Sequence, residues 1–403
     1  MKLQSFEKRK TVVCDGNRAA ALGVMLSEPE VIAIYPITPQ TSISEEISRY
    51  HAGGLYTGEL VGVEGENSAM GTLIGASASG GRTFTATSSW GLVFMYDGMM
   101  MAAGQRLPIV MVNVNRETPH YMSVSVSRQD IMSVRDAGWI HVEVENCQEI
   151  LDSVLFAYRL SEDPEISLPT VISYDGFYLS HFSEKVVVPS KGEVVTFLGS
   201  SYEQKRAKMD SEVPMSFFTS CTTFGDLLTE YRYQHSEALE RVIAKFHQIK
   251  TEFLKCFGRE YEDMVVPYRS EDADFLVITM GSCTGAAKIA VENKRDEGVS
   301  VGLIRLKVFQ PFPSRILIDF LEGRKCIGII ERSVCFQQRA GHLLSQIKSL
   351  ELGEDTRVMD FIMGLGSLDI TPDRIERVID IMSSSDIDSQ EQDIFWMDLE
   401  SSK

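Results

Sequence analysis

Short apolar runs, most of them apolar throughout, alternate with stretches of helical period along residues 1–185. The runs are Val31–Tyr35, Leu60–Val63, Thr83–Thr87, Pro108–Asn115, His141–Glu145 and Pro169–Tyr174. In most of them apolarity is continuous rather than alternating, which predicts strands covered on both faces. Between them lie the amphipathic stretches Ser68–Ser79 and Cys147–Glu162, and a helix that begins near Gly16 and ends before Pro29. This β-α alternation predicts a doubly wound parallel sheet.

The pattern then changes twice. Over 186–268 the strand signals fade and one long stretch, Thr229–Phe257, has helical period, which predicts a largely helical connecting region. Over 269–383 the β-α rhythm returns. Strands are expected at Phe275–Met280, Val301–Val308, Cys326–Ile330 and Val358–Phe361. Helices are expected at Ala286–Lys294, Ser314–Leu321, Gln337–Leu350 and Pro372–Met382. This is a second, smaller α/β domain. Residues 384–403 form an acidic tail around one apolar cluster, Ile394-Phe395-Trp396-Met397. That cluster either packs back on its own domain or docks on a partner.

Composition narrows the function. The chain has 403 residues and a net charge of −18, so a nucleic-acid or anionic-membrane partner is disfavoured. No apolar run reaches the ~18 residues of a membrane helix. The first ten residues have no apolar core of a signal peptide. Seven cysteines are scattered without a CxxC pair, which predicts no metal or cluster within this chain and fits a reducing cytoplasm.

Four segments could carry chemistry. Tyr35-Pro36-Ile37-Thr38-Pro39-Gln40-Thr41 makes a proline-stiffened turn after a buried strand, where open α/β sheets bind ligands. It is equally a structural loop with a helix cap. Glu64-Gly65-Glu66 sets two carboxylates where a strand meets a helix, as capping acids or as a buried proton donor. Thr87-Ser88-Ser89-Trp90-Gly91 is a hydroxyl-rich turn, suited to capping or to contacting a cofactor. Arg116 ends an apolar strand and could grip a carboxylate or pair with Glu117. Equally informative are absences: there is no GxGxxG, no GxxxxGK[ST], no GxSxG, and no Gly-Asp-Gly followed by Asn-Asn.

Taken in order, Tyr35–Pro39, Val63–Met70, Gly80–Ser89, Arg106–Val110, Asn115-Arg116, Arg135–Trp139, Asp175–His181, Met280-Gly281-Ser282, Phe309–Pro313 and Gly364-Leu365-Gly366 resemble a known family. It is the α subunit of 2-oxoacid:ferredoxin oxidoreductases, of the pyruvate:ferredoxin oxidoreductase type. The resemblance implies a thiamine-diphosphate-binding domain of the pyrimidine type and a transketolase-C-like second domain. It implies thiamine diphosphate shared with a β subunit that holds the Mg²⁺, the diphosphate and a [4Fe-4S] cluster. Further partners would be γ and ferredoxin-like δ subunits or their equivalents, with clusters confined to partner chains. Substrates would be a 2-oxoacid and coenzyme A, with electrons passing to an acceptor protein.

By the same resemblance, Glu66 is the carboxyl that activates the cofactor ring, Arg116 holds the substrate carboxylate, and Thr38 contacts substrate. Pro36, Ile37 and Ser89 are expected against the cofactor. Two positions depart from the family pattern. Trp90 replaces a small or amide residue, and Arg128 replaces an expected histidine. Arg128 could neutralise a second substrate charge, while Trp90 with Met99–Met101 could shape an apolar wall for an aromatic or branched oxoacid. Thr38 keeps pyruvate first.

Overall fold

The computed structural model describes residues 6–199, 225–353, 355–384 and 392–399. Parts of the expected connecting region and of the acidic tail lie outside the described residues. The first half contributes β1 (Lys10–Asp15), β2 (Val31–Ile34), β3 (Glu59–Gly62), β4 (Thr83–Thr87), β5 (Val110–Asn115), β6 (Ile140–Glu143), β7 (Thr170–Asp175) and β8 (Ser183–Val188). The second contributes β9 (Val265–Tyr268), β10 (Phe275–Thr279), β11 (Val301–Leu306), β12 (Val308–Gln310), β13 (Cys326–Glu331), β14 (Arg357–Ile362) and β15 (Ile394–Trp396).

Seven strands form the larger sheet in the order β12-β6-β7-β5-β4-β2-β3. All neighbours are parallel except β12, which runs antiparallel to β6. β4 to β7 are buried at every position, so apolar residues predominate in them and polar ones such as Thr85 and Asn113 are buried as well. β3 lies on one side of β2 and β4 on the other, so the strand order reverses there. The crevice outside the carboxyl ends of these strands is where such a sheet takes a ligand.

Helices cover both faces. Gly16–Ser27 is capped by the Asp15 carboxylate, which accepts the Arg18 N–H at 2.8 Å. It packs against Cys147–Ser161, and a Cβ at Gly23 would stand 2.9 Å from Val154 Cβ, so the close crossing depends on that glycine. The helix Asp226–Phe257 buries Ala238, Val242, Phe246, Ile249, Phe253 and Phe257, a stripe spaced three or four residues apart. Phe246 and Phe253 pack on Phe156 of the first domain and on Tyr261 just beyond the helix.

The smaller sheet has the order β15-β14-β13-β10-β11-β9. It is parallel apart from the edge strand β9. Four details differ from the sequence expectation. β9 falls inside the stretch read as a helical connector yet belongs to this sheet. β1 and β8 form a separate antiparallel ribbon, and their partly exposed faces leave no continuous apolar run to notice. Val301–Val308 is not one strand, because the chain changes sheets at Lys307. That lysine is fully buried, with Nζ 2.7 Å from Glu149 Oε1 and 3.3 Å from the Tyr261 ring centroid. The helix expected over Gln337–Leu350 shortens to His342–Lys348, after a turn closed by a Cys335–Ala340 bridge.

The apolar cluster of the tail packs back on its own domain. β15 pairs with β14, and Phe395 stacks on Phe361 with centroids 5.1 Å apart. Among the described residues, no helix is long and apolar enough to cross a membrane.

Candidate active site

Four of the singled-out residues converge because four neighbouring strands end side by side. Thr38 follows β2, Glu66 follows β3, Ser89 follows β4 and Arg116 follows β5. The Thr38 turn is anchored from below by Asn17. Its Nδ2 donates to the Pro39 carbonyl and to Ser42 Oγ, both at 2.7 Å, while its Oδ1 accepts the Tyr174 hydroxyl at 2.7 Å. Pro36 and Thr38 are left exposed and Ile37 half-buried above this fixed base.

Glu66 and Glu64 separate by environment. Glu64 is exposed and accepts the Ser68 hydroxyl at 2.6 Å. Glu66 is 7% exposed at the start of the helix Glu66–Ala78, and burial pushes its carboxyl up from the usual range. A Cβ on Gly91 would overlap both Glu66 Oε1 and Thr87 Oγ1, so only glycine leaves room for that carboxyl. The buried Thr87 hydroxyl beside it has no hydrogen-bond partner. A buried carboxyl whose pKa burial raises, beside an orphaned hydroxyl, suits a nitrogen heterocycle that both accepts and donates hydrogen bonds. These residues therefore fit the aminopyrimidine ring of thiamine diphosphate.

Arg116 is half-buried, and burial lowers its pKa. Nη1 donates to the Thr38 carbonyl at 2.8 Å and Nε to the Ser123 carbonyl at 3.1 Å. Among the described residues, its guanidinium has no carboxylate partner; the possible pair with Glu117 does not form. Its positive charge is thus available at the mouth of the crevice.

Sequence reasoning assigned no role to the residue that ties these parts together. Asp130 is fully buried, and its Oδ2 accepts the N–H groups of Ser89 at 2.9 Å and Arg116 at 3.1 Å, and Asn113 Nδ2 at 3.1 Å. Burial raises its pKa to about 7 against these hydrogen bonds. Ser89 sits at φ 49°, a left-handed conformation costly for a side-chain-bearing residue. It is held there by Asp130 and by its own hydroxyl, which donates to the Glu117 carbonyl. Nothing in the local pattern marks Asp130, because its partners come from two other strands. Asn17 did leave a signal, as a polar residue opening an otherwise small and apolar helix.

The expectation that Arg128 meets substrate is overturned. Its side chain is 1% exposed, and every described contact points inward. Nε lies 3.0 Å from Glu143 Oε1, Nη2 lies 3.3 Å from Asp175 Oδ2, and Nη2 also donates to the Met280 carbonyl. Burial disfavours its charge, but Asp175 and Glu143 outweigh that and hold it ionised. Arg128 is a tie between the two domains. Trp90, by contrast, is 44% exposed next to Ser89, one helical turn before the exposed Phe94.

The sheet, the crevice and the buried carboxyl define a thiamine-diphosphate-binding α/β protein. Residues 22–251 match the family described as pyruvate flavodoxin/ferredoxin oxidoreductase, thiamine-diphosphate-binding, and residues 273–375 match pyruvate:ferredoxin oxidoreductase core domain II. The chain belongs to this family, the 2-oxoacid:ferredoxin oxidoreductases, and corresponds to its α-type subunit. It is 40% identical over 367 residues to pyruvate synthase subunit PorA of Methanothermobacter thermautotrophicus, spanning 91% of this chain and 94% of the relative. It is 36% identical over 379 residues to the alpha subunit of NADH-dependent phenylglyoxylate dehydrogenase of Aromatoleum evansii, spanning 93% and 91%. Among solved structures it resembles 2-oxoglutarate:ferredoxin oxidoreductase from Magnetococcus marinus, with a TM-score of 0.62 and 21% identity. That match covers 92% of this chain but only 64% of the solved one, and it is a likeness of fold.

Proposed function

We propose that this chain forms half of an active site for the oxidative decarboxylation of a 2-oxoacid, pyruvate first, with coenzyme A as acyl acceptor. The single observation that supports this most is the Glu66 carboxyl, buried against Gly91 beneath a crevice that also presents Thr38 and Arg116. When bound, thiamine diphosphate supplies the nucleophilic carbon and the electron sink that let CO₂ leave. Glu66 holds a proton at the ring nitrogen and fixes the ring's orientation. Arg116 pairs with the substrate carboxylate, and the Thr38 hydroxyl orients the adjacent oxo group. Pro36, Ile37 and the Ser89 turn shape the wall around the ring.

The other half of the site comes from partners. A β subunit supplies the Mg²⁺ and diphosphate contacts and a [4Fe-4S] cluster. γ and ferredoxin-like δ subunits, or equivalents, carry electrons onward to a soluble acceptor in the cytoplasm. Exposed apolar side chains beside the crevice support a shared site: Trp90 and Phe94, one helical turn apart just after β4, are each more than 40% exposed. Exposed apolar patches of this kind mark protein contacts.

The exposed Trp90 also favours a second reading, in which an aromatic oxoacid such as phenylglyoxylate is the substrate. The test is to purify the chain with its genomic neighbours and follow oxoacid-dependent reduction of a viologen dye with each substrate. The isolated chain should be colourless and should bind thiamine diphosphate weakly. Tight, magnesium-dependent binding to the isolated chain in calorimetry would remove the shared-site reading.

A further inference from the structure

The second domain has a switch point of its own, which the reading above does not use. β10 lies between β11 and β13, so a crevice opens outside the carboxyl ends of β10 and β13. A cavity of about 530 Å³ occupies it, where the two domains meet. Ser282 and Cys283 line it from the loop after β10, Arg332 from the residue after β13, and Tyr178 from the first domain. None of Thr38, Glu66, Ser89 or Arg116 lines it. The 14-residue helix Cys283–Asp296 and the 12-residue helix Pro372–Ser383 both begin at this cavity, which brings two positive dipole ends to one place.

Arg332 points independently to a ligand. Its side chain is 2% exposed, yet Nε and Nη1 have no hydrogen-bond partner. Its one described ion pair is loose, with Nη1 3.4 Å from Asp175 Oδ1, and Asp175 is already shared with Arg128 and Ser282. A buried guanidinium keeps five donors that need acceptors. Orphaned donors of this kind in a cavity wall call for a partner. The acids that line the cavity are engaged elsewhere: Glu145 with Lys288 at 3.2 Å, Glu184 with the Cys147 N–H at 2.7 Å, and Asp369 with the Tyr178 hydroxyl. Glu145 Oε2 also lacks a hydrogen-bond partner, but Arg305 Nε faces it at 3.5 Å, so among the described lining residues Arg332 is the cation left short of acceptors.

We propose that this interdomain cavity binds a small anion, a phosphate- or carboxylate-bearing molecule, with Arg332 and the two helix N-termini gripping its anionic group. Leu179, Ala286 and Ile370 frame space for an apolar remainder.

The test titrates inorganic phosphate, and separately acetate, into the assembled enzyme at constant ionic strength, reading thermal unfolding and calorimetric heat. A saturable response is expected to at least one probe. Phosphate alone would assign a phosphate-bearing ligand, and acetate as well would admit a carboxylate. Arg332→Gln should weaken binding roughly 10- to 100-fold, the worth of a hydrogen bond to a charged group. Because Arg332→Gln could also loosen the domain contact, Gly285→Leu provides the independent variant. A Cβ at Gly285 meets nothing within 4 Å, and the residue lines the cavity. Gly285→Leu should leave unliganded stability and 2-oxoacid turnover unchanged while abolishing the response. Absence of any saturable response in the unaltered enzyme, or its survival in Gly285→Leu, would overturn the proposal.

Discussion

Arg116 reaches across the crevice to the Thr38 turn, its Nη1 donating to the Thr38 carbonyl at 2.8 Å, while its own N–H is held by Asp130 at 3.1 Å. The guanidinium is thereby fixed at both ends of its side chain, with no described carboxylate in ion-pair contact. Such preorganisation lowers the ordering cost of binding an anion. Arg116→Ala should lower kcat/KM for the 2-oxoacid by roughly 10- to 150-fold, the worth of a charge-assisted contact. Lysine should restore only part of this, because it lacks the planar fork. Steady-state kinetics on the assembled enzyme decide it, and an unchanged kcat/KM would remove Arg116 from the site.

Glu66 and Glu64 lie two residues apart in opposite environments, and their variants should behave oppositely. Glu66→Gln should keep the fold and slow proton exchange at the cofactor's reactive carbon by ~10²–10⁴, the usual contribution of a positioned acid–base group. Glu64→Gln removes an exposed carboxylate near a helix N-terminus and should leave that rate within a factor of about two. Deuterium exchange followed by NMR in the assembled enzyme distinguishes the two carboxyls.

Arg128 joins Glu143 and Asp175 in the interior, so its loss strands two buried carboxylates. Arg128→Met should destabilise the protein by about 3–5 kcal/mol, as breaking one side of a buried pair does. Urea denaturation measures this. Among molecules that still fold, pyruvate, oxalate and phenylglyoxylate should be affected alike. A selective loss of activity towards a dianionic substrate would return Arg128 to a substrate role.

Several buried carboxyls tie stability to pH. Asp130 and Glu143 are each raised to about 7, mainly by burial. Glu331 and Asp360 are raised as well, both by burial and Glu331 further by the charge of Asp360. A folded pKa above the unfolded value of ~4 means the folded state binds protons more tightly. The stability from these groups is full below pH ~4 and is lost as pH rises through about 7. Denaturation midpoints should therefore fall between about pH 5 and pH 8. Asp360→Asn keeps an acceptor for the Gly341 N–H, now at 2.6 Å, and removes one like charge. It should make that decline shallower, and an unaltered slope would show that Asp360 does not titrate with folding.

The apolar face beside the crevice should matter to assembly rather than to folding. Phe94 is 58% exposed, so Phe94→Asp should leave the unfolding midpoint of the isolated chain unchanged. Co-purification with the β subunit should be lost, as read by size-exclusion chromatography with light scattering. Retained association would place the contact elsewhere.

Local pattern determined most of the strands and helices of this protein. A strand buried on both faces is predominantly apolar and seldom charged, so β4, β5 and β7 announce themselves, and the order of their loops carried the family resemblance. Pattern also marked Thr38, Glu66, Ser89 and Arg116, because each lies just after a strand. Tertiary structure alone decided what depends on distant partners. It made Glu66 the buried acid and Glu64 the exposed one, since the difference lies in Gly91 and Thr87 on another strand. It turned Arg128 inward, because Glu143 and Asp175 lie 15 and 47 residues away in sequence. It set Asp130 at the junction of two strand ends and passed β12 from the second domain's sequence into the first domain's sheet. A buried charge or a sheet crossing is fixed by long-range contacts, and no window of neighbouring residues contains them.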